Sequence, residues 1–421
     1  MTVLAALAFR NLRRHLRRTV LTSLAMIVGG ALLMISLPLG DGIHEKWIES
    51  GVRIGSGHLS IETPAFQRSR RIEDRLPAAA RAEAEAALAD PAVAPFVTTA
   101  SPQLVVGGLV SSAGGARPCR IVGVDSDAES VFTILDDKVI EGRYLKRSDR
   151  LAAYVGWELA DALALRVGSR LVVTAQDSGG DIAGQLLRVV GVFRTGVPAI
   201  DQSLVHVPLS TAGSWLGSGA DVTNVAILAQ SSTDVERLRR SLVHRLAGPI
   251  EAGELAVLGW RELMPELDAA VRIDDFGNYF IQAILFFIIA LGIVNTVLMS
   301  VLHRHREFGM LKALGLTPAQ TAVLVLVEGI VLTVASGLIG IVLGLSITWF
   351  FGRDGLDFSG VLQEQWSISG AIIDPIVVPI VRWTRVLQAL FFILLVGAMA
   401  SLYPAFRASR IDVTEAMRFD R

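Results

Sequence analysis

Four long apolar runs constrain this chain more than any other feature of its sequence. They lie at about Thr19–Leu39, Tyr279–Leu302, Ala319–Phe351 and Val386–Phe406. A helix needs about 20 apolar residues to cross the hydrocarbon core of a bilayer, which is about 30 Å thick. Each run is long enough, and 52% of all residues are hydrophobic, above the usual fraction for a soluble protein. The sequence therefore predicts an α-helical membrane protein with four transmembrane helices.

The first run has an alternative explanation, a secretory signal peptide, because it follows a cluster of arginines. A signal peptide has an apolar stretch of only about 7–15 residues, which ends at a small-residue cleavage site. This run is longer, and no clear A-x-A site follows it. We therefore expect an uncleaved membrane anchor.

Lysine and arginine in short loops and tails predict which side of the membrane each segment faces. They concentrate in residues 1–18, 303–318 and 407–421, which should therefore be cytoplasmic. Four spans then place both termini in the cytoplasm of a multi-pass protein. The expected segments are, in order, 1–18 (amphipathic, cytoplasmic), 19–43 (first span), 44–278 (extracytoplasmic domain with stalk ends), 279–302 (second span), 303–318 (cytoplasmic loop helix), 319–351 (third span), 352–385 (extracytoplasmic loop), 386–406 (fourth span) and 407–421 (cytoplasmic tail).

The large segment between the first two spans is typical of an α+β domain. "GHLSIE" (Gly57–Glu62) alternates as a half-buried strand does, and "PAAARAEAEAALAD" (Pro77–Asp90) indicates a helix. Two pairs of apolar stretches, around Ser111–Arg117 and within Arg170–Phe193, flank turn residues and predict hairpins. We expect two subdomains, with about Asp125 to Ser214 inserted between the halves of the other.

The two ends of this domain lead directly into the first two spans. Gly42 to Val52 continues the first span as a polar helical pattern, and Arg261 to Phe276 leads into the second. Both spans are therefore expected to extend into a stalk, although two flexible linkers are the alternative.

No catalytic or nucleotide-binding motif is present in the sequence. It contains no G-x-x-x-x-G-K-[ST] phosphate loop, no H-E-x-x-H or C-x-x-C metal pattern and no G-x-S-x-G elbow. His44 and Glu45 are adjacent and point about 100° apart on a helix, so we expect an exposed polar stalk there rather than a ligand pair. The net charge of -1 argues against nucleic acid as a partner, and no enzyme activity is expected from this chain.

Two features of the third run concern packing inside the membrane. Glu328 is a charged residue in an apolar run, where it either contacts another helix or lies near the interface, hydrated or protonated. Ser336, Gly340 and Gly344 recur every fourth residue and place small side chains on one face, which favours close helix packing. Such a pattern also occurs at oligomer interfaces.

The short charged loop between the second and third runs, "HRHREFGMLKALGLTPAQ" (His303–Gln320), predicts an amphipathic helix. Phe308, Leu311 and Leu314 give it an apolar side, and Gly315 with Pro318 ends it. The pattern alone does not distinguish an interfacial anchor from a helix that binds a partner. Its polar residues are Arg304, Arg306, Glu307 and Lys312.

The segment "HREFGMLKALGLTPAQ" resembles the cytoplasmic loop of the FtsX-like/MacB-like ABC transporter permeases, whose usual form is close to R-R-E-I-G-[ML]-L-[RK]-A-[LI]-G-A. "EGIVLTVASGLIGIVLG", "YPAFRASRIDVTEAMR" and "RNLRRHLRRTVLTSLAMIVGGALL" also match this family, as does the order of spans. "GSGHLSIETPAF" is more similar to the lipoprotein-releasing (LolC/LolE-like) branch. Val413 departs from the family pattern, in which the tail often has proline.

The resemblance implies a permease of the bacterial cytoplasmic (inner) membrane that dimerises, as a homodimer or heterodimer, and recruits a separate ABC ATPase. That ATPase would bind the ATP, so no cofactor is expected on this chain. Residues 44–278 would be a MacB-like periplasmic core domain, moved mechanically to extract or release lipoprotein or another lipid-linked substrate among membrane lipids. The alternative is an FtsX-like mechanotransmitting scaffold that regulates a periplasmic partner such as a cell-wall hydrolase. The ATPase-coupling residues would be Arg304, Arg306, Glu307, Phe308, Gly309, Leu311, Lys312, Leu314 and Gly315.

Overall fold

A computed structural model describes residues 16–358, 367–368, 371–372 and 376–413, with side chains in 23–358 and 376–413. The predictions for residues 1–15 and 414–421, and for most of the loop 359–375, lie outside these ranges. The described residues fall mainly into two compact units. One is helical and combines residues 16–44, 272–358 and 376–413, and the other is the α+β unit 45–271.

The bounds of the elements follow in chain order. The α-helices are α1 (Leu16–Ile54), α2 (Pro64–Ser69), α3 (Ala78–Leu88), α4 (Ser126–Phe132), α5 (Trp157–Ala162), α6 (Pro198–Asp201), α7 (Leu209–Trp215), α8 (Val235–Arg245), α9 (Ala247–Glu251), α10 (Trp260–Leu263), α11 (Pro265–His303), α12 (His305–Ala313), α13 (Pro318–Gly352) and α14 (Trp383–Ser409). The β-strands are β1 (Leu59–Glu62), β2 (Val97–Ser112), β3 (Gly115–Val124), β4 (Val139–Gly142), β5 (Ala152–Gly156), β6 (Arg170–Gln176), β7 (Ile182–Phe193), β8 (Leu204–Pro208), β9 (Asn224–Ala229), β10 (Ala256–Gly259), β11 (Leu356–Asp357), β12 (Ser367–Ile368), β13 (Ala371–Ile372) and β14 (Ile376–Val377).

Four helices within the described residues are long and apolar enough to cross a membrane, namely α1, α11, α13 and α14. This finding confirms the predicted fold class, four spans with an α+β domain between the first and the second. Helices α1 and α11 each contain 39 residues. At 1.5 Å per residue each is about 58 Å long, well beyond the thickness of a hydrocarbon core.

The polar ends of these two helices are ordered rather than flexible. Residues Gly42 to Val52 are helical within α1, as predicted, and α11 is continuous from Pro265. The expectation of an exposed His44 is wrong, because its side chain is 9% exposed and its Nε2 lies 2.5 Å from Oδ2 of Asp274. Helix α11 therefore covers this face of α1 and supplies a polar partner for the imidazole.

The α+β unit is built on one ten-stranded sheet, in the order β10-β1-β9-β2-β3-β8-β5-β7-β4, with β6 paired to β2 and β7. The two predicted hairpins are confirmed as the antiparallel pairs β2–β3 and β6–β7. The alanine-rich segment forms α3, and β9 is followed by helix α8, as predicted.

Three hydrophobic cores lie in this unit. One lies among β1, β9, β10, α3 and α8, the second lies among β2, β3 and β5–β8, and the third includes Tyr154 of β5, Phe193 of β7 and Leu204 of β8. The second core includes Leu104 of β2 and Ile121 of β3. The inserted subdomain therefore also contains parts of two strands that precede Asp125. The predicted insertion boundary is therefore too late in the chain, since β2 is long enough to pass from the first core to the second.

Candidate functional site

The loop helix α12 has a well-defined C-terminal end, and the next helix begins with a cap. The amide of Leu314 donates to the carbonyl of Met310, and Gly315 then has a φ of 103°, a left-handed conformation that glycine adopts without strain. Thr317 opens α13 through a capping box with Gln320, because each side chain accepts a hydrogen bond from the other residue's backbone amide. These local signals confine α12 to nine residues between two long helices.

One face of α12 packs into the core of the helical unit. Phe308 is 1% exposed and belongs to a cluster with Met26 of α1, Ile293 of α11, Leu324 of α13 and Ala405 of α14. Burial of a phenylalanine side chain contributes about 1.5–3 kcal/mol. Gly309 on the same helix is also buried, and Leu311 packs partly against this cluster. The loop helix therefore shares one hydrophobic cluster with residues of all four membrane helices.

Arg304, the residue before α12, joins the loop helix to the third span. Its Nη1 donates to Oε2 of Glu328 over 2.8 Å, and its Nε donates to Oε2 of Glu307 over 2.7 Å. The guanidinium also lies over the ring of Phe308, 5.1 Å from its centroid. Ser300 adds a hydrogen bond to the other oxygen of Glu328. Of the two explanations for Glu328, these contacts match an interhelical polar contact.

Lys312 joins the other end of α12 to the fourth span. Its Nζ donates to the backbone carbonyls of Ser409, over 2.6 Å, and Ile411, over 2.8 Å. These carbonyls lie at the C-terminal end of α14, where a helix has unpaired acceptors and partial negative charge. A lysine ammonium both donates hydrogen bonds there and interacts favourably with the helix dipole.

The opposite face of α12 is exposed and partly apolar. Leu314 is 85% exposed and Met310 is 46% exposed, and their spacing of four residues places them side by side. Arg306 and Gly315 are also exposed. The predicted single apolar side is therefore split, because Phe308 points into the core and Leu314 away from it. Met310 was not among the predicted residues, although its spacing from Leu314 indicates a shared face.

The small residues of the third span pack within the chain itself. A side chain at Gly340 would lie 2.7 Å from the carbonyl oxygen of Ile27, and one at Gly344 would lie 2.6 Å from that of Ala31. Ser336 is also buried. This stripe brings α13 against α1, so within the described residues it is covered and unavailable for a contact between subunits.

The described residues hold no group of three or more His, Cys, Asp or Glu side chains that could bind a metal ion. Cys119 is buried, and burial raises the pKa of its thiol to about 12. The loop helix α12 is therefore the principal candidate site. One face of it is attached to the membrane helices, and the other exposes apolar side chains.

Comparison with known proteins finds two family matches along the chain. Residues 19–245 match the MacB-like periplasmic core domain, and residues 279–413 match the FtsX-like permease C-terminal domain. The ABC transporter permease YknZ of Bacillus subtilis is 27% identical over 57% of this chain and 56% of its own length. The lipoprotein-releasing system transmembrane protein LolC of Neisseria meningitidis is 23% identical over 77% of this chain and 79% of its own length.

Among solved structures, the periplasmic region of MacB from Actinobacillus actinomycetemcomitans aligns with a TM-score of 0.37 at 14% identity, over 54% of this chain and 97% of that one. The YknZ alignment spans little more than half of that relative. The two family matches together take in the domain and the last three membrane helices in the order that the sequence predicts. The chain belongs to the FtsX-like permeases with a MacB-like periplasmic core domain, and its four membrane helices make it a multi-pass membrane protein.

Proposed function

We propose that this permease couples ATP hydrolysis by a separate ATPase subunit to mechanical movement of its extracytoplasmic domain. The substrate is lipoprotein or another lipid-linked molecule, and a second permease subunit completes the transporter. The loop helix and both termini are cytoplasmic, where the ATPase binds ATP. This chain itself contributes no nucleotide site, consistent with the lack of a phosphate loop in its 421 residues.

The attachment of α12 to the membrane helices carries this proposal. Arg304 links the start of the helix to α13, Lys312 links its end to α14, and Phe308 anchors its middle in the shared core. A force on the exposed face of α12 would therefore act on several spans together. Flexible loops would absorb such a displacement, but a short helix with charged and apolar anchors transmits it.

The exposed pair Met310 and Leu314 is the proposed ATPase contact. Replacement of Leu314 by aspartate should bury a charge against an apolar surface of the ATPase, which costs free energy when the charge has no partner. Leu314→Asp and Met310→Asp should each reduce the ATPase recovered with the purified permease by at least about tenfold, equivalent to about 1.4 kcal/mol. The measurement is co-purification at equal membrane abundance, together with ATP turnover.

Ala319→Asp provides the matched control, since this exposed residue lies in the first turn of α13, where an acidic residue is favourable. An interfacial anchor would give a different result, in which Leu314→Asp lowers permease abundance but leaves the ATPase recovered per permease unchanged. Gly309→Leu is a poor docking test, because Gly309 is buried within the chain and a larger side chain would perturb α12 itself.

Similarity to LolC supports a lipid-linked substrate. Purified complex in lipid nanodiscs should therefore hydrolyse ATP faster when a lipoprotein is added. Stimulation by a cell-wall hydrolase but not by lipoprotein would favour the second candidate, a mechanotransmitting scaffold, for which the same α12 attachments would serve. Saturable, magnesium-dependent hydrolysis by the pure chain would contradict the assignment of ATPase activity to a separate subunit.

A further inference from the structure

The α+β unit contains a cavity of about 470 Å³ that the transport proposal does not use. It is lined by residues of β1, β2 and β3, together with the last residues of two helices, Ile54 of α1 and Leu263 of α10. Ser60 and Glu62 both line it, because alternate residues of a strand point to the same side. The volume lies in the range of about 300–1,000 Å³ that is usual for small-molecule sites.

Two buried polar atoms in this cavity have no hydrogen-bond partner in the part of the chain that the structure describes. Glu62 is 1% exposed; its Oε2 accepts a hydrogen bond from Arg70 over 3.3 Å, but its Oε1 has no hydrogen-bond partner within the described residues. The hydroxyl of Ser60, which is also 1% exposed, has none in the same part of the chain. Buried polar atoms are almost always paired, and each unpaired one destabilises the folded protein. A ligand that donates hydrogen bonds would remove this destabilisation.

The other deeply buried polar side chains of the cavity are paired within the protein. Glu129 accepts hydrogen bonds from Ser101 and Gln103, and Asn224 donates to Gln103. His206 contacts the hydroxyl of Tyr144, and burial lowers the pKa of its imidazole to about 3, so it is neutral. The buried polar atoms of this cavity that have no hydrogen-bond partner among the described residues are therefore those of Glu62 and Ser60.

A positively charged side chain also lines this cavity. Arg120 on β3 is exposed; its guanidinium interacts electrostatically with Glu129 but forms no side-chain hydrogen bond or ion pair within 4.0 Å among the described residues. Guanidinium groups bind carboxylates strongly, often with two parallel hydrogen bonds. Apolar side chains complete the walls, among them Phe66 and Val122, which are buried. The cavity thus offers an acceptor region, a cation and apolar surface.

We infer that this cavity binds a short peptide with free ends, whose ammonium group donates to Glu62 and Ser60 and whose carboxylate binds Arg120. A peptide supplies both charges and also has side chains that fill the apolar walls. An aminophospholipid headgroup has the two charges but little apolar surface, and it occupies less of the volume. Because Ile54 and Leu263 line the site, a bound peptide would contact the ends of both segments that lead to the stalk helices.

The test uses the full chain in lipid nanodiscs and the probe tri-alanine with free ends, with binding measured by isothermal titration calorimetry. We expect saturable binding that N-acetylation or C-terminal amidation of the peptide weakens by at least about tenfold, equivalent to about 1.4 kcal/mol. Glu62→Gln and Arg120→Gln should each cause a similar loss. Hydrogen exchange should slow at residues 56–62 and 260–264 when the peptide is bound.

Matched controls are Glu83→Gln on α3 and Arg117→Gln on β3, two exposed residues that do not line the cavity. Both should bind tri-alanine as the native chain does. Ser60→Ala serves as a second variant, with thermal unfolding as the check that each variant is folded. The inference is overturned if tri-alanine does not bind saturably, if the Glu62 and Arg120 variants bind it unchanged, or if glycerophosphoethanolamine binds more tightly than the peptide.

Discussion

The guanidinium of Arg304 lies 2.8 Å from the carboxylate of Glu328, and both side chains are about nine-tenths buried. The pair joins the residue that precedes the loop helix to the interior of the third span. A buried charge without a partner is strongly destabilising, so each of these residues depends on the other. The same guanidinium also binds Glu307 on the loop helix, which makes Arg304 the junction between helix and span.

Arg304→Ala should leave the carboxylate of Glu328 buried without a charged partner and is expected to lose about 3–5 kcal/mol of stability. Glu328→Ala should cost less, because the guanidinium of Arg304 keeps its ion pair with Glu307. The double variant Arg304→Met/Glu328→Leu should recover most of this loss, since an apolar pair leaves no uncompensated charge. Thermal unfolding of the purified chain in detergent gives the comparison. Additive losses in the double variant would show that the two residues are not coupled.

The packing of Gly340 and Gly344 against α1 leads to a second prediction. Any side chain at these positions would meet backbone oxygen atoms of α1, which cannot move aside without a shift of the whole helix. Gly340→Leu and Gly344→Leu should therefore lower the amount of folded protein in membranes and its thermal stability by about 1–3 kcal/mol or more.

The control is Gly292→Ala, because a Cβ at Gly292 would make an ordinary contact of 3.6 Å with Ala25. It should retain native stability. If the Gly340 and Gly344 variants fold normally but no longer form permease dimers, the stripe would instead belong to a subunit interface.

The sequence predicts the elements of this protein well where one periodicity dominates. Four apolar runs, two hairpins and an alanine-rich helix are recognisable because their patterns are local. The loop helix is also recognisable, since Gly315, Thr317 and Pro318 mark its end and the start of the next helix.

The directions in which side chains point are harder to predict. Phe308 and Leu314 are both apolar and lie on one short helix, but only the packing of four membrane helices determines that the first is buried and the second exposed. The same holds for His44, which pairs with Asp274 from a segment 230 residues away. The partners of Lys312 are backbone carbonyls, which no side-chain pattern encodes.

A third prediction concerns the orientation of the chain. Reporter domains fused after Arg421 and inserted within Ser178–Gly180 should report opposite sides of the membrane. The insertion site is a suitable one, because it lies in the turn between β6 and β7 and Gly179 is exposed. Alkaline phosphatase should be active at the insertion, and a fluorescent protein should be active at the C-terminus. Activity of the same reporter at both sites would refute the topology.

The last prediction is a pH dependence centred on Glu129, which is 2% exposed in the α+β unit. Burial raises the pKa of its carboxyl from 4.5 to about 7, although Ser101 and Gln103 donate hydrogen bonds to it. The folded state therefore holds a proton that the unfolded state releases, and stability should fall as pH rises from about 4.5 to about 7. The total effect is about 3 kcal/mol, since each unit of pKa corresponds to about 1.4 kcal/mol.

Glu129→Gln isolates this effect, because its amide remains neutral at every pH and is similar in shape. His58 and His206, whose pKa values burial lowers to about 4 and about 3, act in the opposite sense below about pH 6.5. They are present in both proteins, so they cancel in the difference. Pulse proteolysis in urea, on the full chain in nanodiscs, should give a stability difference, native minus variant, that decreases between pH 4.5 and pH 7. A difference that stays constant across this range would mean that Glu129 is ionised throughout and that its burial is compensated by another charge.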